Sequence, residues 1–315
     1  MTTITGIGEV GVLHSREQLE EMQRLPLSRK IQITTARIIE WYQHYDGKVY
    51  VAFSGGKDST VLLDIVRRIY PDVPAVFSDT GLEFPEVRAF ARSCENVTII
   101  KPEMNFRQVI EKYGYPVVSK RVADTVEYGH KPGSFRWKEL HGEIMRSNGT
   151  PSEFNCEKWC YLLNAPFKVS ARCCAVMKKR PMKKYSKETG RVPIIATMAD
   201  ESRSRRATWL RLGCNAFAAK KPSSQPMSFW TEDDVLEYLY TYKIPYASVY
   251  GEIVKTDGGV DNNRRKTYWL CLLCLWCSFG KGSKPFPATK GYSPETLELL
   301  YEAMGRTWLG YAASA

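Results

Sequence analysis

One stretch constrains this chain more than any other: Val49-Tyr50-Val51-Ala52-Phe53-Ser54-Gly55-Gly56-Lys57-Asp58-Ser59-Thr60. An apolar, β-rich run breaks into a polar turn with two adjacent glycines. Val61, Leu62, Ile65, Val66 and Ile69 then recur on one face of a helix. Strand, tight turn and helix start together aim backbone N–H groups at an anion. Gly55 and Gly56 permit positive φ and a close approach of the backbone to a phosphate. Ser54, Ser59 and Thr60 add hydroxyl donors, and Lys57 adds a point charge. Asp58 repels a phosphate, so it is read as organising the turn or holding Mg²⁺ beside it. The reading is a pyrophosphate cradle, against the bland alternative of an ordinary strand-to-helix turn. It is not a Walker-type loop, because Val51 stands where that motif needs its first glycine.

Around this stretch the pattern alternates. Residues 16–45 read as two helices, the second over Arg29 to His44. Residues 74–77 read as a second buried strand, ending in Ser78-Asp79-Thr80-Gly81, with a helix starting over Leu82 to Val87. Val97–Ile100 and Val192–Ala196 read as further strands. Strands alternating with helices predict an α/β fold, a doubly wound parallel sheet with helices on both faces. Ligands of such sheets sit at the carboxyl ends of the strands, where Ser54 and Asp79 both fall. The expected organisation is N-terminal helices over 1–45, a nucleotide-binding domain over 46–215, and a smaller, mostly helical part over 216–315. In that last part Thr231 N-caps a helix with acids in its first turn. Residues 114–152, with Gly114, Gly129, Gly133, Gly142 and Gly149, read as irregular. There His130 and His141 read as solvated, and Lys120 and Arg121 either reach a nucleotide or form a solvated turn.

The N-terminus has no basic segment followed by an apolar one, and the longest apolar run, Tyr268 to Cys277, is too short for a bilayer. A cytoplasmic location without membrane contact is expected. Nine cysteines in such a chain argue for metal or redox chemistry rather than a disulfide framework. Cys173-Cys174 form one group, and Cys271, Cys274 and Cys277 give two overlapping C-x₂-C spacings. Paired thiolates of this kind hold tetrahedral Zn²⁺ or an iron–sulfur cluster, and spacing alone does not choose. Buried free cysteines are the competing reading. Cys156 and Cys160, four apart on an expected helix, could join the site; Cys94 and Cys214 read as packing residues. Net charge is +11, and residues 172–187 carry seven basic side chains and no acid. That suits a polyanion or a solvated helix face.

These motifs carry a resemblance. SGGKDST resembles the SGGxDS signature of the PP-loop ATP pyrophosphatases, and DTGLEFPE resembles a segment of phosphoadenylyl-sulfate (PAPS) reductases. Cys173-Cys174, Lys178 and Pro181 are similar to a segment of the iron–sulfur-containing adenylyl-sulfate (APS) reductases, with Met177 in place of an Arg. Thr197 to Arg205 resembles the reductases' substrate segment. Arg205 is retained, but Met198 replaces an Arg that holds the nucleotide's acidic groups. A thioether cannot pair with an anion. Pro226 to Tyr240 resembles a packing segment of the same family, and the resemblance covers roughly residues 45–280. It implies nucleotide binding by Ser54, Gly55, Gly56, Lys57, Asp58, Ser59, Thr60, Asp79, Thr80 and Gly81, with Lys57, Asp58 and Arg205 catalytic. It also implies ATP with Mg²⁺, and a 4Fe–4S cluster in preference to Zn²⁺ on Cys173, Cys174, Cys271, Cys274 and Cys277.

Three functions follow as expectations. The first is ATP-dependent activation of an acceptor, forming pyrophosphate and AMP, for sulfur transfer. Its partners would be an adenine nucleotide, a nucleic-acid (tRNA or DNA) or small-molecule acceptor, and a sulfur donor such as a cysteine desulfurase. A homodimer is allowed. The absence of a cysteine beyond Cys277, where PAPS reductases carry their attacking thiol, and the Met198 departure motivate that reading. The second is an APS or PAPS reductase. The third is a zinc-stapled nucleic-acid-binding module.

Overall fold

The computed structural model describes residues 14–256 and 259–262. In chain order its elements are α1 (Arg16–Gln23), α2 (Leu27–His44), β1 (Val49–Phe53), α3 (Lys57–Ile69), β2 (Ala75–Ser78), α4 (Pro85–Ser93) and β3 (Val97–Ile100). Then come α5 (Phe106–Tyr113), α6 (Lys120–Tyr128), α7 (Phe135–Leu140), a 3₁₀ helix over Glu157–Asn164, a π-turn over Ala175–Lys179, and α8 (Arg180–Thr189). The described chain closes with β4 (Val192–Ile195), α9 (Arg203–Leu212), α10 (Glu232–Tyr242), β5 (Ile253–Thr256) and β6 (Gly259–Asn262). The chain divides into two compact units. The first holds described residues up to 78, 85–100 and 182–262, and the second holds 79–84 and 101–181.

The first unit is built on a parallel sheet in the order β3-β2-β1-β4, with helices on both sides. Val51 pairs with Ala75, Phe53 with Phe77 and Val49 with Val192. The predicted α/β class is what the chain adopts. β1 is apolar along its length because both its faces are covered: Val49, Val51 and Phe53 on one face are each at most 1% exposed, and Tyr50 on the other is 2% exposed. β3, at the sheet's edge, leaves Ile99 exposed. The order places a topological switch point at β1. The chain moves outward through β2 and β3, then returns to lay β4 on the other side of β1. Open α/β sheets bind ligands in the crevice beyond the carboxyl ends of strands at such a point. The turn after β1 therefore starts where a ligand is expected.

Two findings differ from the sequence reading here. α2 begins at Leu27, two residues early, because extended Pro26 serves as its N-cap. Within the described part of 216–315, β5 and β6 form an antiparallel hairpin beside α10, where mostly helix was expected. α2 is pinned to α10 by a buried ion pair, Lys30 Nζ to Asp234 Oδ2 at 2.5 Å. The same carboxylate accepts from the Thr231 N–H at 2.7 Å, completing the capping box of α10.

The second unit has its own apolar cluster, including Val109, Ile110, Val126, Leu140, Leu162 and Met177. The stretch expected to be irregular contains α6 and α7, each N-capped by a serine, Ser119 and Ser134. The glycines that suggested an irregular stretch flank these short helices. Glu139 on α7 is 2% exposed and is held by Arg121 at 2.5 Å and Arg136 at 2.7 Å. Arg121 also donates to the Phe154 carbonyl at 2.8 Å. Arg121 is thus half of a clamp on a buried carboxylate.

Candidate nucleotide site

The turn after β1 owes its shape to one residue. Gly55 has φ +72°, and a Cβ there would sit 2.8 Å from Val87 Cγ1 and 3.0 Å from the Val87 carbonyl of α4. A side chain is excluded twice, by conformation and by space. Gly56 is the N-cap of α3 and brings no capping side chain. The Ser59 and Thr60 hydroxyls each donate to the Gly56 carbonyl at 2.9 Å. The Gly56 N–H donates to Ser54 Oγ at 3.3 Å, and Ser54 and Ser59 share a hydroxyl contact of 3.0 Å. The hydroxyls expected to face a phosphate thus brace the turn from within. The first helical bond closes only at Thr60, so the N–H groups of Lys57, Asp58 and Ser59 form an uncapped positive helix end. The uncapped donors of this turn are backbone N–H groups, and the side chains hold the turn in shape.

Lys57 is 15% exposed and lies between two carboxylates, 3.6 Å from Asp58 Oδ1 and 3.1 Å from Glu232 Oε1. Its ammonium stands 5.9 Å from the centre of the Tyr250 ring. Burial pulls Lys57 down, but the Asp58 and Glu232 charges outweigh it, so its pKa rises above the ordinary lysine value. Burial drives the Asp58 carboxyl up, with Lys57 opposing and Glu232 reinforcing the rise. Asp58 Oδ1 is buried and accepts no hydrogen bond, the state of an oxygen suited to a divalent cation. Arg205, in the first turn of α9, is ion-paired with Glu201. Burial lowers its pKa, and Asp58 partly offsets the effect, which ties the guanidinium to the same charge cluster. Glu201 also accepts from the Met198 N–H at 2.8 Å, and Met198 itself is packed in the core at 3% exposure. Burial raises the Tyr250 phenol.

The structure therefore brings Ser54, Gly55, Gly56, Lys57, Asp58, Ser59, Thr60 and Arg205 together in the first unit. Asp79, Thr80 and Gly81 belong to the second unit and form a self-bonded turn. Asp79 accepts from the Gly81 N–H at 3.2 Å, and Glu83 accepts from the Thr80 N–H and hydroxyl at 3.0 and 2.7 Å. Sequence reading missed Glu201, Glu232, Tyr250 and Glu83. Glu83, inside DTGLEFPE, and Glu201, inside the Thr197–Arg205 segment, carried a local signal.

Cys173 and Cys174 are half-buried free thiols in the second unit. Burial, then the neighbouring Cys174, pushes Cys173 up to about 11. Cys271, Cys274 and Cys277 lie outside the described residues, and among the described residues no three ligand-type side chains meet to hold a metal. Cys156 and Cys160 do not act as a pair. Their segment is a 3₁₀ helix with three residues per turn, which turns positions four apart away from each other. The Cys156 thiol donates to the Phe154 carbonyl at 3.5 Å, while Cys160 lies against His141. The basic run is partly paired within its unit: Arg172 binds Glu127, and Arg180 reaches the Tyr113 hydroxyl. No described helix is long and apolar enough to cross a membrane.

Comparison with known proteins returns one consistent family. The model described as phosphoadenosine phosphosulfate reductase domain matches residues 48–126 and 151–265. An uncharacterized protein of Methanocaldococcus jannaschii is 25% identical over 216 residues, covering 66% of this chain and 35% of that protein. The first curated relatives are much longer than their matched region, which spans roughly a third of each. An adenosine 5′-phosphosulfate reductase of Staphylococcus haemolyticus is 22% identical over 68% of this chain and 70% of its own. One from Geobacillus kaustophilus is 26% identical over 66% and 70%. Among solved structures, a PAPS reductase from Candida auris in a phosphate complex matches at TM-score 0.39 and 15% identity, covering 75% of this chain and 90% of that one.

Proposed function

Since this chain belongs to the phosphoadenosine phosphosulfate reductase domain family, we propose that it is an adenine-nucleotide enzyme whose chemistry takes place at the Ser54–Thr60 turn. The specific reaction we propose is ATP-dependent activation of an acceptor for sulfur transfer. An acceptor oxygen attacks the α-phosphorus, the bond to the bridging oxygen breaks, and pyrophosphate leaves. A sulfur nucleophile then displaces AMP from the activated carbon. One observation carries the reading: an uncapped helix start, held in shape by Gly55, with Lys57 at its mouth.

In this scheme the Lys57, Asp58 and Ser59 N–H groups and the Lys57 ammonium stabilise charge developing on the leaving pyrophosphate. Lys57 exchanges the Glu232 carboxylate for a phosphate oxygen. Asp58 Oδ1 is the oxygen that would hold Mg²⁺, which neutralises phosphate charge when bound. Arg205 supplies the second cation of the cluster. Cys173 and Cys174, with Cys271, Cys274 and Cys277, are the thiols proposed to hold a 4Fe–4S cluster or Zn²⁺, and no step above passes through it.

A second reading, reduction of APS or PAPS to sulfite, is favoured by the relatives that carry the reductase name along two thirds of both chains. The two differ in their products. Anaerobically purified protein is incubated with Mg-ATP plus candidate acceptors, and separately with APS or PAPS plus a dithiol reductant. Pyrophosphate release from ATP is the expected result. Sulfite with no pyrophosphate would transfer the assignment to the reductase, and neither product would sink both.

A further inference from the structure

Cys160 and His141 lie outside the nucleotide site, and the reaction above makes no use of them. Cys160 Sγ is 3.7 Å from His141 Nε2, and His141 Nδ1 is 2.8 Å from the Trp137 carbonyl. A carbonyl oxygen can only accept, so Nδ1 must carry hydrogen. That fixes the tautomer and turns the lone pair of Nε2 toward the thiol. The imidazole is further held by stacking on Trp137, with centroids 3.8 Å apart and planes 20° from parallel. The two residues are also held in register. The Cys156 N–H bonds the Glu139 carbonyl at 2.9 Å, and Asn155 Nδ2 bonds the Gly142 and Ile144 carbonyls at 2.9 and 3.1 Å. Nucleophile, base and an acceptor orienting the base form the arrangement of a nucleophilic cysteine, often looser than 3.2 Å without ligand. His141 is exposed and Cys160 half-buried, so a small reagent can reach the sulfur.

We propose that Cys160 and His141 form a nucleophilic thiol–imidazole pair that takes up a sulfane sulfur from a persulfide donor. The thiol gives its proton to His141 Nε2, and the thiolate attacks the terminal sulfur of the donor, R–S–SH. The donor's S–S bond breaks, R–S⁻ leaves and recovers a proton from His141, and Cys160 becomes a persulfide. One thiol and one persulfide are exchanged for another pair, so no oxidant or reductant is consumed. Burial pushes four of the other described thiols, Cys94, Cys156, Cys173 and Cys214, up, which disfavours their thiolates; from Cys174 the distinction rests on the imidazole beside Cys160. The assignment deepens the sulfur-transfer reading and rests on it for its purpose. It gives the chain a covalent station for sulfane sulfur.

The test uses the full chain with no nucleotide present. Iodoacetamide labelling at neutral pH, mapped by mass spectrometry, should modify Cys160 ahead of Cys94, Cys156, Cys173, Cys174 and Cys214. His141→Gln should slow Cys160 at least about tenfold with an unchanged thermal melt. Glutathione persulfide should add one sulfur atom at Cys160, and Cys160→Ser should abolish that addition. Labelling no faster than at Cys94, or unaffected by His141→Gln, overturns the pair. Rapid, His141-dependent labelling without sulfur uptake overturns the persulfide role. Because no nucleotide enters the assay, absent pyrophosphate release would count against the adenylating reading and leave this one standing.

Discussion

Lys57 is the residue on which the nucleotide site turns, and its two carboxylate partners make opposite predictions. Replacing it with methionine removes the ammonium at the mouth of the helix start. Loss of one such preorganised contact costs about 10²–10³ in kcat, so pyrophosphate release by Lys57→Met should fall by that order. Glu232, 41% exposed, competes with the phosphate for the same ammonium. Glu232→Gln should therefore leave the melt nearly unchanged and lower the KM for Mg-ATP a few-fold. A raised KM would mean Glu232 binds the substrate side instead. Asp58 adds a pH signature. Burial raises its pKa, so its oxygen takes up a proton while ordinary carboxylates are still charged. A protonated carboxyl holds Mg²⁺ poorly, so Mg-dependent nucleotide affinity should weaken as pH falls, beginning above the range where ordinary carboxylates titrate. Asp58→Asn should be weak throughout and flat over the same fall in pH in a calorimetric titration. Retention of the acid limb in that variant would remove Asp58 from the metal's path.

Among the elements, α2 and α10 show how the first unit holds the Glu232 end of the site in place. Asp234 caps α10 and at the same time accepts the 2%-exposed Lys30 of α2. Breaking a buried pair by removing one partner strands the other, at about 3–5 kcal/mol. Lys30→Met should lower the urea midpoint accordingly, and Lys30→Met with Asp234→Leu should recover most of the loss, less the cap. A double variant as unstable as the single would show that the cap, not the stranded charge, sets the cost. Legibility in the sequence follows the same division. Thr231 as N-cap, the SGGKDST turn and the buried strands were readable, because each is decided within a few residues by propensity and capping chemistry. Lys30–Asp234 and Lys57–Glu232 were not. Their partners are separated by most of the chain, and a lysine that will be buried looks in sequence like one that will be solvated. The glycines of 114–152 misled for a related reason: a glycine between two short helices looks like a glycine in a loop, until the serine caps are given weight.

On the scale of the whole molecule, two cores are threaded by one chain. The first unit owns the sheet and the uncapped start of α3; the second owns the Cys160–His141 pair and the Asp79–Phe84 turn. The excess of +11 is not concentrated at the nucleotide site, where Lys57 and Arg205 are matched by Asp58, Glu232 and Glu201. The resemblance read from motifs identified the family, since its signatures sit in contiguous stretches; the choice between adenylation and reduction depends on partners that no contiguous stretch records. Val87 on α4 touches no ligand, yet its side chain and carbonyl fill the space where a Cβ of residue 55 would go. Bulk added at position 55 would collide with Val87, so α4, the helix behind the turn, sets the shape of the cradle we propose for phosphate as much as the turn's own residues do.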